Sequence, residues 1–248
     1  MRRLRALVRL SRCVSHGLHG LWVVLFRFPR LDLAARHDTI GWWSKGMLAR
    51  LGIALRVEGD LVNGGLLVAN HVSWLDVMAI HAVAPDARFV AKADVRSWPL
   101  LSRLVDCAGT LYLQREKKRD AVRVIHRMAE VLAAGHRVAI FPEGTTSTGH
   151  GLLPFHANLL QAAIATGTAV QPVALRFSDS SHAVSPAMEF VGATTLLQSL
   201  WRSACGEDVM ARLVLLPARP SRGADRRTLA RLLRADIASA LGVQLEAA

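Results

Sequence analysis

The sequence of 248 residues contains only three cysteines and a single tyrosine. Cys13, Cys107 and Cys205 are odd in number and far apart, which argues against a disulfide framework and against a metal cluster. The single tyrosine, and six tryptophans that are not interleaved with the arginines, leave no stacking platform for single-stranded nucleic acid. Zinc-finger spacing and a basic zipper are also missing. We therefore expect no metal centre and no nucleic-acid partner.

Acidic residues and long apolar runs are scarce as well. Lysine and arginine number 31 against 19 aspartates and glutamates, a net charge of +12 that favours an anionic membrane surface or an acidic substrate. No apolar run approaches the ~20 residues that span a bilayer, and the best stretch covers only residues 21–26. Arginines spread through the N-terminal segment argue against a secretory signal. Hydrophobic residues still make up 52% of the chain, enough for a sizeable core.

Residues 4–26 have the periodicity of one long amphipathic helix. Its apolar stripe comprises Leu4, Leu7, Val8, Val14, Leu18, Leu21, Trp22 and Leu25, and its basic stripe comprises Arg5, Arg9, Arg12, His16 and His19. A helix with two opposed stripes can lie in a membrane interface, with apolar side chains among the acyl chains and arginines at the head groups. The alternative is a helix that packs on its own domain.

A second helix is predicted over residues 39–51, with Asp38 as its N-cap and Gly52 as its stop. Trp42 and Trp43 suit either a membrane interface or a buried helix pair. Residues 1–52 are therefore interpreted as a pair of membrane-associating helices that precede the main domain.

From residue 53 onward, short apolar runs alternate with helical patterns. Strands are predicted over residues 53–57, 66–69, 89–91, 110–113, 138–141, 170–175, 189–191 and 213–216. Helices are predicted over residues 75–83, 98–107, 119–134, 157–166, 194–203 and 224–241. This alternation is typical of an α/β domain, here residues 53–248, with a mostly parallel sheet flanked by helices. Such sheets bind ligands in the loops at their strand ends.

The most informative loop follows the predicted strand 66–69, where Asn70 and His71 form a turn and Asp76 comes five residues after His71. Five residues along a regular helix separate two side chains by roughly 140°, so this pair can meet only if His71 precedes the helix. A carboxylate bonded to one ring nitrogen leaves the other free as a base. A Gly-x-Ser-x-Gly nucleophile is missing, so the simplest chemistry is direct deprotonation of a substrate hydroxyl. The competing interpretation is a histidine beside a helix-start aspartate that favours the helix dipole.

A second polar loop, Glu143-Gly144-Thr145, follows the predicted strand 138–141. Gly144 permits a tight turn, so the loop can present a carboxylate, a hydroxyl and backbone N–H groups at the sheet edge. Glu143 would then bond the hydroxyl or the backbone of an acceptor. A solvated glutamate in an ordinary connecting loop is the alternative.

Two cations also follow predicted strands. Arg115 comes after strand 110–113, and Lys92 comes after strand 89–91. Cations at adjacent strand ends can grip a phosphate, arginine through its planar fork. Arg115 also begins the charged run 115–120, so a solvated loop is a serious rival.

Taken in order, these loops resemble the sequence blocks of the glycerolipid acyltransferases. The resemblance rests on residues 70–76, residues 141–145 and Val170-Gln171-Pro172-Val173-Ala174, with residues 104–116 looking like a fourth block. It covers residues 70–175. Each motif alone is weak evidence, but four in the family's order are specific.

The resemblance implies an acyltransferase that moves a fatty acyl group from acyl-CoA or acyl carrier protein to the free hydroxyl of a lysolipid. It implies His71 and Asp76 as the catalytic pair, a substrate-binding role for the loop at residues 143–145, and support for Arg115 more than for Lys92. It implies no cofactor beyond the donor substrate, and peripheral or monotopic attachment at the cytoplasmic face of the inner membrane. A non-catalytic, basic membrane-binding protein is the alternative from another class.

The acceptor is less well defined, because the sequence departs from the family pattern. Thr146 stands where the family often has an arginine that is assigned to the acceptor's phosphate, and Phe155-His156 replaces Phe-Lys. Threonine at this position occurs among acyltransferases for other lysolipids. The expected acceptor is 1-acyl-sn-glycerol-3-phosphate, which gives phosphatidic acid, and lyso-ornithine lipid is the alternative.

Overall fold

The computed structural model describes residues 2–97, 99–114 and 118–246. The helices are α1 (Arg2–Trp22), α2 (Leu33–Leu51), α3 (Leu75–His81), α4 (Pro99–Cys107), α5 (Lys118–Ala133), α6 (Gln161–Thr166), α7 (Leu196–Cys205) and α8 (Arg226–Leu241). The strands are β1 (Ile53–Glu58), β2 (Gly65–Ala69), β3 (Arg88–Lys92), β4 (Leu111–Leu113), β5 (Arg137–Ile140), β6 (Gly151–Leu152), β7 (Val170–Ser178), β8 (Val209–Leu215) and β9 (Gln244–Leu245).

Seven of the described strands form one sheet in the order β1-β8-β7-β2-β5-β3-β4. Every neighbouring pair is parallel except β7 and β8, which confirms the predicted mostly parallel sheet. The strands differ from the prediction in two ways. Strands β6 and β9 form a separate two-residue pair, too short for a sequence pattern to reveal. The strand predicted at residues 189–191 is wrong, because the Phe190 N–H bonds the carbonyl of Val72 in a loop at 3.2 Å.

Strands β2 and β5 lie in the middle of the sheet and are buried along their whole lengths. Side chains of β2 alternate between two cores. Leu66 and Val68 pack with α5, α6 and α8 on one face, whereas Leu67 and Ala69 pack with α1, α2, α3 and α7 on the other. Burial on both faces explains why these strands read as continuous apolar runs. The carboxyl end of β2 is therefore held rigidly between two helical layers.

The two N-terminal helices are joined by a wide helical turn over Val23–Arg27 and a tight one over Phe28–Arg30. Helix α2 begins six residues earlier than predicted, because the Asp32 carboxylate accepts a hydrogen bond from Ala35 N–H at 2.8 Å. The prediction of Asp38 as N-cap is wrong, since this residue lies inside the helix. Gly52 ends α2 with a φ of 78°, as predicted. The domain boundary after Gly52 stays a prediction, although α2 adds Leu48 and Leu51 to the core.

Helix α1 is amphipathic, but its apolar stripe faces outward. Ala6, Cys13, His16 and Gly20 are its buried residues. The large apolar residues exposed on α1 and the turn after it are Leu4, Leu7, Val8, Val14, Leu18, Trp22, Leu25 and Phe26. The helix thus packs on its own domain through this small inner face, as in the alternative interpretation, and contact of the outward stripe with a membrane stays a prediction.

Two arginines of the basic stripe of α1 bond the protein. The Arg9 guanidinium donates to the carbonyls of Ala204 and Gly206 near the end of α7, and Arg5 pairs with Glu207. These two arginines are therefore bonded to the protein, and the contact of the basic stripe with lipid head groups stays a prediction. Within the described residues, no helix is both long and apolar enough to cross a bilayer.

Candidate active site

His71 and Asp76 meet at the carboxyl end of β2. The chain leaves the sheet after Ala69, and Asp76 is the second residue of α3. The buried Asp76 Oδ2 accepts hydrogen bonds from the N–H groups of Val72 at 2.7 Å and Ser73 at 2.9 Å. The same oxygen lies 2.8 Å from His71 Nδ1. The condition set by the spacing is therefore met, because His71 lies in the turn before α3 and contacts Asp76.

The imidazole of His71 is held on a second side by an aromatic ring. It stacks on Phe141 at a centroid distance of 4.0 Å and an interplanar angle of 10°. Its side chain is 20% exposed, whereas that of Asp76 is fully buried. A carboxylate at Nδ1 fixes the tautomer that carries its proton there, and this leaves Nε2 as an acceptor. The ring is thus fixed in position with one nitrogen available to a substrate.

Asn70 determines where the chain departs from the sheet. Its side-chain amide donates to the carbonyl of Leu175 at 2.8 Å and accepts from the Leu175 N–H at 2.8 Å. These two bonds replace the backbone ladder that β2 and β7 would otherwise continue. The backbone at His71 is therefore free to turn away while the buried groups of β7 keep their partners. Asn70 was visible in the motif, but its pairing with β7 has no sequence signal.

Glu143 lies next to the loop between β2 and α3, residues 70–74, which we call the histidine loop. Both oxygens of the Glu143 carboxylate accept hydrogen bonds from backbone N–H groups. Oε1 accepts from His71 N–H at 2.7 Å, and Oε2 accepts from Leu153 N–H at 3.0 Å. The residue is 3% exposed, and burial raises its pKa to about 7. The structure therefore places Glu143 where it joins two loops. Its predicted bond to an acceptor stays a prediction.

The rest of the Glu-Gly-Thr loop follows the histidine loop closely. Gly144 turns the chain with a φ of 75°, which leaves Thr145 exposed. Ser147 N–H then donates to the His71 carbonyl at 2.8 Å. The Thr146 hydroxyl donates to the carbonyl of Phe190, so this side chain is directed toward the segment before α7. The loop that carries His71 and the Glu-Gly-Thr loop are thus bonded to each other, and both are bonded to the segment around Phe190.

A cleft of 320 Å³ opens beside this loop. Its lining residues are Val90, Ala91, Lys92, Leu113, Ala121, Ile125, Phe141, Pro142, Gly144, His156, Asn158 and Leu159. Lys92 is half exposed here, and its ammonium lies 2.6 Å from Asp94. Arg115, the other predicted phosphate ligand, lies outside the described residues. In the described parts of the chain, no group of three or more histidine, cysteine, aspartate or glutamate residues is arranged to hold a metal ion.

Comparison with known proteins gives the family. The family model described as "Acyltransferase" matches residues 55–176. The chain is 40% identical over 238 residues to the lyso-ornithine lipid O-acyltransferase of Pseudomonas aeruginosa, which covers 93% of this chain and 91% of that one. The chain belongs to the acyltransferase family, and its relatives acylate lysolipids.

Two further relatives extend this comparison. The 1-acyl-sn-glycerol-3-phosphate acyltransferase of Neisseria gonorrhoeae is 43% identical over 163 residues, 64% of this chain and 62% of that one. The crystal structure of the 1-acyl-sn-glycerophosphate acyltransferase PlsC from Thermotoga maritima superposes with a TM-score of 0.72 over 98% of this chain and 97% of that one. At 21% identity this last match shows the shared fold.

Proposed function

We propose that this acyltransferase uses His71 as a general base on the hydroxyl of its lysolipid acceptor. The observation that carries the proposal is the bond of 2.8 Å between His71 Nδ1 and Asp76 Oδ2, which leaves Nε2 as the acceptor atom. The acceptor oxygen attacks the carbonyl of the acyl thioester as its proton moves to Nε2. The carbon–sulfur bond then breaks, and the leaving thiolate takes the proton from Nε2. Asp76 stabilises the imidazolium in between, and no acyl-enzyme forms.

The donor is a thioester of coenzyme A or of acyl carrier protein, and no cofactor is required. Phe141 both stacks on His71 and lines the cleft, so a substrate in the cleft lies next to the imidazole. Gly144 and Thr145 lie at or beside the cleft and bind substrate there. Glu143 acts through its bonds to the backbone of His71 and Leu153, and it is a positioning residue.

Lyso-ornithine lipid is the acceptor that the described residues favour. A buried phosphate needs a fixed cation, best a bidentate arginine, because an unpaired charge is costly to desolvate. Position 146 offers a threonine, and its hydroxyl is bonded to Phe190. Lys92, the cation that lines the cleft, is bonded to Asp94. The relative similar over 91% of its own length is also a lyso-ornithine lipid O-acyltransferase.

Lysophosphatidic acid is the second candidate, and a specific similarity favours it. The relative from Neisseria gonorrhoeae, named for that acceptor, is 43% identical to this chain over 163 residues. An acceptor phosphate would then depend on Arg115, with Lys92 as a further cation. Under this candidate Arg115→Ala raises the KM for lysophosphatidic acid steeply.

The acceptor of such an enzyme resides in a membrane, and α1 is suited to meet it there. The helix and the turn after it together expose eight large apolar residues, the last of which is Phe26. Such a face partitions into the interface of a bilayer, and the net charge of +12 adds attraction to anionic lipid. We place the enzyme peripherally or monotopically on the cytoplasmic face of the inner membrane.

The purified enzyme assayed with a panel of lysolipids and both donor types tests this function. His71→Ala should lower turnover by ~10²–10⁴-fold or more, and Asp76→Asn should lose most activity because it favours the wrong tautomer. His182→Ala is a matched control, because His182 Nδ1 also lies 2.8 Å from an aspartate, Asp179, but at the surface and far along the chain.

Each outcome of the assay decides something. Near-normal turnover of a folded His71→Ala variant would end the proposed mechanism. Acylation of lysophosphatidic acid but not of lyso-ornithine lipid would reverse the order of the two acceptors. A wild-type protein that acylates no lysolipid with either donor, yet binds vesicles, would be the non-catalytic membrane-binding protein instead.

A further inference from the structure

Helix α7, like α1, buries small residues and leaves large apolar side chains exposed. Its buried residues are Ser199, Ser203 and Ala204, which are small, and two of them carry hydroxyl groups. Leu197 is 75% exposed, and Trp201, one turn further along, is 39% exposed. Because residues four apart lie on the same side of a helix, Leu197 and Trp201 form an apolar pair on the solvent side of α7.

Helices α7 and α1, which carry these exposed apolar side chains, are neighbours in the structure. The Arg2 side chain donates to the Cys205 carbonyl at 3.2 Å, and Arg9 donates to the Ala204 carbonyl at 3.1 Å. Cys205 and Ala204 are the last two residues of α7, whose carbonyls have no partner within the helix. Arginines of α1 thus supply the C-terminal bonds of α7 and hold the two helices together.

We propose that α7 is a second membrane-contacting helix, and that Leu197 and Trp201 insert into the same leaflet as the apolar stripe of α1. This inference rests on the proposed function, which gives the enzyme a membrane lipid as acceptor. The side chains suit a bilayer interface. Leucine enters the acyl region, tryptophan prefers the head-group boundary, and the exposed Arg202 beside it can meet lipid phosphate.

Contact between α7 and the bilayer would bring the active-site loops to the lipid. Trp74, which immediately precedes α3, donates its indole N–H to Ser199 Oγ of α7 at 3.1 Å. In the segment before α7, Phe190 bonds both the backbone of Val72 and the hydroxyl of Thr146. The histidine loop and the Glu-Gly-Thr loop are therefore both joined to the part of the chain that includes α7. A lysolipid leaving the leaflet beside α7 has a short path to His71.

Vesicles of phosphatidylethanolamine and phosphatidylglycerol test the proposal through co-sedimentation of the full-length protein. Leu197→Glu should weaken vesicle binding by about tenfold or more, because a buried leucine contributes that much and a carboxylate is repelled by the surface. Leu197→Trp should bind at least as tightly as the wild type. Leu232→Glu is the matched control, because Leu232 is 43% exposed on α8, which packs on the other face of the sheet.

Equal losses in Leu197→Glu and Leu232→Glu would overturn the proposal, because the added charge alone would then explain both. Unchanged binding of Leu197→Glu would overturn it as well. A wild-type dimer in gel filtration that Leu197→Glu converts to a monomer would assign the surface to a second copy of the chain instead. Thermal unfolding of each variant shows that it is folded. Failure of the wild type to acylate any lysolipid in detergent micelles would refute the proposed function, and the vesicle comparison would still decide the role of α7.

Discussion

Helices α1 and α5 have similarly strong amphipathic patterns, yet they are packed in opposite ways. Helix α5 packs Val124, Met128 and Leu132 into the core and leaves Arg123, His126 and Arg127 outside. Helix α1 places His16 inside and leaves Leu7 and Leu18 outside. A sequence pattern therefore shows that a helix has two faces, but not which of them meets the protein.

Steric fit at the helix contact explains the difference. Along the contact with α2, a Cβ at Gly20 would collide with Trp43, and one at Gly46 would come within 2.7 Å of His16 Nε2. The His16 ring lies flat on Trp43 and bonds its carbonyl at 2.9 Å. Small residues and one flat polar ring let α1 and α2 approach closely, whereas α5 meets a sheet that offers large apolar side chains. The outer stripe of α1 consequently stays on the solvent side.

The largest expected effect comes from placing the same charge on each apolar stripe. Met128→Glu should destabilise the protein by about 3 kcal/mol or more, because the side chain is fully buried and an unpaired carboxylate cannot be accommodated. Leu18→Glu should change stability by no more than about 0.5 kcal/mol, because Leu18 is 59% exposed. Denaturant unfolding measures both. A comparable destabilisation by Leu18→Glu would mean that α1 is not inverted.

A second prediction sharpens the comparison with lipid present. Leu18→Glu should weaken binding to anionic vesicles by about tenfold or more, since the residue leaves water when α1 inserts. Val122→Glu on α5 is the matched control, because Val122 is 55% exposed and the charge change is identical. The same loss in both variants would show that charge alone controls binding and that the apolar stripe of α1 stays in water.

The smallest effect concerns the polar inner face of α1. Burial lowers the pKa of His16 below its usual 6.5, so the folded protein holds this imidazole neutral. Below pH 6.5 the unfolded chain binds the proton first, and the stability that is complete above this pH is progressively lost on acidification. His16→Gln should therefore lose fewer degrees of Tm than the wild type between neutral and mildly acidic pH. His126→Gln, on the exposed face of α5, should behave like the wild type. Identical pH profiles for all three proteins would contradict the assigned burial of His16.

Most of the fold could be predicted from the sequence because the α/β body repeats a simple pattern. Buried central strands such as β2 and β5 appear as uninterrupted apolar runs, and each helix carries its own periodicity. The wrong predictions concern positions where local sequence propensity does not determine the secondary structure. The stretch at residues 189–191 has strand-like composition, but its backbone bonds a loop. The cap of α2 was predicted at Asp38, and the structure uses Asp32.

The site was predicted in part, for a similar reason. The spacing of His71 and Asp76 limited their contact to one geometry, with His71 before the helix, and the family resemblance favoured that geometry, which the structure has. Their catalytic role stays a prediction. The stacking of His71 on Phe141 and the two backbone bonds of Glu143 join residues about 70 positions apart, and nothing local encodes them. Such contacts follow from the register of β2 beside β5, which only the folded sheet defines.

The single oxygen Asp76 Oδ2 is shared by three hydrogen-bond partners and closes the loop before α3 into a small ring. Three nitrogens from consecutive residues, 71 to 73, converge on it at 2.7–2.9 Å. All three bonds form only with this number of residues between His71 and Asp76 and with the side-chain length of aspartate. One residue more or less would remove an amide from Asp76 Oδ2, and Asp76→Glu would displace the carboxylate by one methylene group. The interval of five is thus a dimension of the loop, set by one carboxylate oxygen, before any substrate arrives.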